Sequence, residues 1–228
     1  MKRLFILCLA ALVLASCKTT GPSDNRLSYR WQWLSYLAGD DIRELCEKGS
    51  QDRLRLIYNA DFNKETRTWD FTAAPGGATD LVAQRWVSAS TLRLSDGYIG
   101  GALDPQTSRV HIPGEDMADL VAALDDSGFY GPPPLGALLR SDDYFWSGVA
   151  CLDGRFHVQA YPRDRLDDVR FSDAITQLDQ FEYDLPPVVL KSLPPLNAVR
   201  NAGRPDRSGD LYYAVDVGEN TFVGWWLN

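Results

Sequence analysis

Residues 144–161 read YFWSGVACLDGRFHVQAY, and this stretch decides the fold. Asp153-Gly154 stands between two runs of β-prone residues. Such a dipeptide favours a two-residue type I′ turn, because that turn needs positive φ at both central positions. The turn sets a register in which Leu152 faces Arg155, Cys151 faces Phe156 and Ala150 faces His157. Side chains alternate across a strand, so one face carries Phe145, Val149, Cys151, Phe156, Val158 and Ala160. This is the expected core face. The opposite face carries Trp146, Gly148, Ala150, His157, Gln159 and Tyr161.

Upstream, the same period of two recurs. Leu54, Leu56 and Tyr58 alternate with Arg53, Arg55 and Ile57, and Arg67, Trp69 and Phe71 alternate with Thr66, Thr68 and Asp70. A turn near Asp61–Lys64 makes these an antiparallel hairpin with one buried face. Pro75-Gly76-Gly77 ends it, residues 80–94 lean towards strand, and residues 95–105 read as loop. Two more alternating runs, Leu211–Val215 and Thr221–Leu227, predict a closing hairpin, and the Pro-, Asn- and Gly-rich segment 185–209 predicts surface loop.

Helical spacing appears in four places. Leu27, Trp31, Leu34 and Leu37 mark a helix over 27–37. Asp40 as cap, the stripe Ile42, Leu45 and Cys46, and Gly49 as stop define the next. Pro113 to Ser127 is the best defined: Glu115 and Asp116 suit the positive helix end, Met117, Leu120, Val121 and Leu124 form the apolar stripe, and Gly128 stops it with Phe129 folding back. Ser172 to Phe181 follows, with Ala174, Ile175 and Leu178 inward.

The chain has 228 residues, 45% hydrophobic and 24% charged, which suits a folded globular protein rather than a disordered one. Its formal net charge is −8. That opposes a nucleic-acid partner, whose binding needs clustered Lys and Arg, and opposes electrostatic adhesion to anionic lipid. No apolar run reaches 18 residues, so no permanent spanning helix is expected.

The N-terminal segment has its own logic. Lys2 and Arg3 precede an unbroken apolar run, Leu4 to Leu14, which fits a signal-peptide h-region. Leu14-Ala15-Ser16-Cys17 follows. An aliphatic residue, two small residues and a cysteine resemble the lipobox of bacterial lipoproteins. The resemblance implies a signal peptide over residues 1–16, cleavage before Cys17, and a diacylglyceryl thioether on its sulfur. It further implies an acyl group, typically palmitate, on the new amino terminus. Two or three buried chains hold a protein on a membrane, where one holds it only marginally. Lys18 in the following position implies delivery to the outer membrane rather than the inner, with the body facing the periplasm. The alternative is an ordinary secretory signal followed by a chance cysteine. Residues 17–26 read as lipidated terminus and flexible tether.

Of four cysteines, Cys8 would leave with the leader and Cys17 would be modified. Cys46 and Cys151 remain, and in an oxidising compartment the simplest reading is a disulfide between them. Two buried free thiols, or one reactive thiol, are the rival readings. A bridge would lay the helix holding Cys46 against the hairpin holding Cys151.

Few chemical motifs are present. The two histidines, His111 and His157, lie far apart, and there is no paired-Cys or H-E-x-x-H spacing, so no metal site is expected. There is no G-x-S-x-G elbow, S-x-x-K run, phosphate-binding loop or dinucleotide fingerprint, so no cofactor is expected. The glycine-rich 97–101 segment lacks the lysine of a phosphate site. Cys151 and His157 fall on opposite faces of the hairpin, which excludes them as nucleophile and base. Trp146, His157 and Tyr161, with Asp142 or Asp143 nearby, form a candidate polar-aromatic face able to stack a sugar or peptidoglycan fragment. The plainer reading is a sheet face covered by another segment, with His157 satisfied by a neighbour.

The sequence therefore predicts one globular α+β domain over residues 27–228, built of antiparallel β-hairpins with two to four packed α-helices. The expected role is that of a lipid-anchored cell-envelope protein, non-catalytic and structural or binding, with envelope proteins or peptidoglycan as partners. The alternative is an envelope hydrolase acting on cell-wall material through carboxylates. A third reading is an accessory of membrane-protein assembly or transport.

Overall fold

The computed structural model describes residues 26–48, 51–62, 64–87, 105–196 and 212–227. Helices α1 (Arg26–Ala38) and α2 (Asp40–Glu47) lead into strands β1 (Arg53–Ala60), β2 (Glu65–Ala73), β3 (Thr79–Val87) and β4 (Gln106–Ile112). Helix α3 (Gly114–Asp126) follows, then β5 (Leu138–Arg140), β6 (Tyr144–Leu152), β7 (Arg155–Tyr161), helix α4 (Ser172–Leu178), β8 (Tyr213–Val217) and β9 (Phe222–Trp226). Six strands form one antiparallel sheet in the order β4-β3-β2-β1-β6-β7, and three form a second in the order β5-β8-β9. The fold is α+β.

The β6–β7 hairpin has the register its turn residues demand. Asp153 (φ 50°) and Gly154 (φ 70°) both take positive φ, and Cys151 pairs with Phe156 and Ala150 with His157. The hairpin forms one end of the six-stranded sheet. β1 lies at the sheet centre, paired with β2 on one side and β6 on the other.

This central position corrects the expectation of one buried face for β1 and β2. Both faces of β1 are covered. Leu54, Leu56 and Tyr58 join Trp69, Phe71, Leu81, Trp146 and Phe171 in a core beneath α3 and α4. Ile57 joins Trp33, Leu37, Ile42, Phe145, Val149, Cys151 and Val215 in a second core beneath α1, α2 and the small sheet. Arg55 shares that second face and is 2% exposed. A buried guanidinium is tolerable only when its donors are matched. Arg55 Nε donates to Asp70 at 2.6 Å, Nη1 and Nη2 donate to Asp41 at 2.9 Å each, and Nη1 also donates to the Tyr36 carbonyl at 2.7 Å.

Cys46 and Cys151 form a disulfide, with Cα atoms 5.5 Å apart. It ties α2 to β6 across 105 residues of sequence. Gly39 (φ 69°) reverses the chain between α1 and α2, and a Cβ there would stand 2.6 Å from Val149 Cγ2. Gly39, not Asp40, therefore occupies the cap position of α2. Only the Ile42–Cys46 line of this short helix meets the sheet, so Leu45 is exposed. In α1 the inward residues are Trp33, Tyr36 and Leu37, with Leu34 partly buried; the side chains of Leu27 and Trp31 lie outside the described residues.

Helix α3 buries Leu120 and Leu124 and leaves Val121 exposed, because a surface helix contributes one narrow line to the core. Gly128 (φ 68°) ends it and Phe129 N–H donates back to Leu124 O at 2.9 Å. α4 is one turn shorter than predicted and buries Ile175. β8 and β9 pair as expected, but they belong to a separate sheet with β5. Residues 1–25, most of the 95–105 loop including 97–101, and 197–211 lie outside the described residues.

Candidate functional site

The candidate face of Trp146, His157 and Tyr161 is occupied by the protein itself. A helix leaves its last carbonyls without partners inside the helix. Here those of the chain leaving α3 are met by a row of donors at alternate positions of β7. His157 Nε2 lies 2.6 Å from Phe129 O, Gln159 Nε2 donates to Gly128 O at 3.0 Å, and Tyr161 Oη donates to Ser127 O at 3.1 Å. The Ser127 hydroxyl donates to Ala123 O at 2.6 Å and accepts from Arg170 N–H at 2.8 Å. Spacing of two along a strand and one turn of backbone thus interlock. Trp146 and Tyr161 are 4% and 1% exposed, so this face is a core face and not an open stacking platform. Phe171 closes over it, edge-on to both rings. Cys151 and His157 point to opposite faces, as the register required, and Cys151 is held in the disulfide.

The buried acids have structural partners. Asp142 takes a two-pronged contact from Arg140 at 2.9 and 2.7 Å. Asp61 accepts from Lys191 at 2.9 Å. Glu65 accepts from Arg67 at 2.7 Å and from Arg85 at 2.8 and 3.0 Å. Asp179 accepts from Trp69 Nε1 at 3.1 Å, and burial raises its carboxyl above the ordinary range. Burial likewise raises Asp143, against the opposing pull of its Tyr144 backbone hydrogen bond and of Arg163. Among the described residues no group of three His, Cys, Asp or Glu side chains is arranged to hold a metal ion.

A feature without any sequence motif lies beside this face. Residues 184–195, DLPPVVLKSLPP, run without regular secondary structure over the edge of the α4 core. Their carbonyls are gripped by side chains from four different elements. Arg67 Nη2 donates to Asp184 O at 2.6 Å, and Tyr58 Oη to Pro186 O at 2.9 Å. Arg163 Nη2 donates to Lys191 O at 3.2 Å, and Arg140 Nη1 to Pro194 O at 2.7 Å. Between this segment and α4 runs a groove of about 400 Å³ whose floor includes Tyr58 and Trp146. Its prolines predict a surface loop but not this grip, because the gripping residues are scattered over more than a hundred positions.

No protein-family model matches the chain, and no curated protein matches it in sequence. Among the described residues no helix is long and apolar enough to cross a membrane.

Proposed function

We propose that the protein is a lipid-anchored bacterial envelope protein, held at the outer membrane through Cys17, with its α+β body facing the periplasm in a non-catalytic binding or structural role. The observation that carries this reading is the Cys46–Cys151 disulfide, which accords with an oxidising compartment, since such bonds are rare in the reducing cytosol. The leader and Leu14-Ala15-Ser16-Cys17 supply the address. The donors of His157, Gln159 and Tyr161 are engaged in capping α3, which favours a scaffold over a reaction centre on that face. Envelope proteins or peptidoglycan are the partners this reading offers.

Mass spectrometry of the native N-terminus tests the proposal. The expected result is a chain beginning at Cys17 and carrying diacylglyceryl and acyl groups. A chain that retains residues 1–16, or one cleaved but unmodified at Cys17, overturns it.

A further inference from the structure

Four side chains donating to backbone carbonyls of one extended segment is how a protein binds a peptide, and here the peptide is its own. Carbonyl groups carry no sequence information, so another chain in the same conformation can take the same donors. Proline keeps a chain extended and lowers the entropy cost of docking, and aromatic floors with hydroxyl donors suit such chains. The floor here is Tyr58 tilted against Trp146, with centroids 4.8 Å apart, and the residues docked beside it are Leu185-Pro186-Pro187.

The segment is also held in a way that permits release. Among the described residues its backbone makes no hydrogen bond to other backbone. Leu185 packs against the core, but the aliphatic residues after it face solvent: Val188, Val189 and Leu190 are 45%, 62% and 58% exposed. The grip falls at the two ends, on Asp184 and Pro186 and on Lys191 and Pro194, leaving the middle unsupported. Beneath the first end, Arg67 is fully buried; its Nε is met by Glu65 at 2.7 Å, but among the described residues its Nη1 has no hydrogen-bond partner, and Asp179 Oδ2 lies 4.0 Å from it. A buried donor of this kind is costly unless a ligand or water meets it.

We propose that residues 184–191 form a displaceable strap over a peptide-binding groove, and that the groove's partner ligand is an extended, proline-containing segment of another protein. This gives a location to the binding role proposed above and rests on that reading for the compartment alone.

The test uses the full chain in detergent micelles and a fluorescent synthetic peptide of residues 182–192. In wild type the strap competes, so apparent affinity is reduced by the fraction of time the groove is open. The double variant Arg163→Ala, Lys191→Ala removes the Arg163 and Asp61 contacts that hold residue 191 at the far end of the strap, leaving Arg140 on Pro194 beyond it, without touching the groove floor. It is expected to bind the peptide about tenfold more tightly than wild type. Adding Tyr58→Phe should reverse that gain, and a peptide with both Pro186 and Pro187 replaced by Ala should bind more weakly. Equal affinity in wild type and double variant, no binding to either, or indifference to Tyr58→Phe overturns the proposal. Should the double variant not fold, hydrogen exchange on wild type decides. Amides of Val188, Val189 and Leu190 should exchange near unfolded rates while β1 and β6 stay protected; protection of the strap equal to β1 overturns it. Peptide binding does not depend on Cys17, so failure here and failure of lipidation are read separately.

Discussion

Gly148 and Phe129 lie so close that a Cβ on Gly148 would stand 2.4 Å from Cε2 of the phenyl ring and 2.8 Å from Leu56 Cδ2. The ring enters the sheet surface through the gap a glycine leaves in β6. This contact seats the end of α3 on the face where His157, Gln159 and Tyr161 wait for its carbonyls.

Gly148→Ala should therefore destabilise the fold by about 1–3 kcal/mol, since a methyl group inserted into a packed core forces its neighbours off their rotamers. Urea unfolding followed by tryptophan fluorescence measures it. A midpoint equal to wild type would mean that Phe129 moves aside freely.

Tyr161→Phe removes the hydroxyl that donates to Ser127 O and leaves a buried carbonyl short of a partner. The expected loss is about 1–3 kcal/mol. Chemical denaturation reads the stability, and amide exchange in 123–129 should accelerate more than in β1.

Reduction of Cys46–Cys151, or its replacement by two alanines, should cost about 2–5 kcal/mol. Thermal unfolding with and without reductant measures it. Non-reducing peptide mapping should recover the 46–151 pair, and free thiols at both positions would contradict the bridge.

Arg55→Met would leave Asp41 and Asp70 facing a buried site without their guanidinium, at a cost of about 3–5 kcal/mol. The same pair sets an acid limb in the stability curve. Burial alone would raise the Asp41 carboxyl, but the hydrogen bonds and charge of Arg55, with Arg53 nearby, outweigh it and hold the group below its usual range. A carboxyl lowered on folding contributes stability that is present above its unfolded value, about 3.9, and lost as pH falls through the folded one. Asp143 and Asp179, raised by burial, contribute the opposite slope, so they lose stability as pH rises past 3.9. Asp41→Asn should flatten the acid limb below about pH 5, measured as unfolding midpoint against pH. An unchanged limb would remove Asp41 from the account.

The parts of the fold written in local sequence were legible. Asp153-Gly154 determined a turn and a register over seven residue pairs, because positive φ at two adjacent positions admits few alternatives. The end of α3 at Gly128 and the inward face of α4 were legible for similar reasons. What escaped was anything decided by neighbours distant in sequence. β1 alternates like a half-exposed strand, yet α1, α2 and the small sheet cover its second face, and Arg55 survives there only through Asp41 and Asp70. β4 and β5 are short or polar and were not marked as strands. The covered face of Trp146 and Tyr161 agrees with the plainer of its two readings, with His157 met by Phe129 O. The irregular surface course of residues 185–195 was legible from their prolines, but what grips them was not, since proline marks irregular backbone without naming its partners.

The pairing of β1 with β6 also governs the order in which this chain can assemble. Synthesis delivers β1, β2, β3 and β4 early, and each can zip onto its predecessor as it emerges. The other flank of β1 must wait for residues 144–152. Until then the eventual middle of the sheet is a bare edge, rich in Leu, Ile and Tyr, of the kind that recruits stray strands. Cys46 waits for the same event, because its partner Cys151 lies in β6.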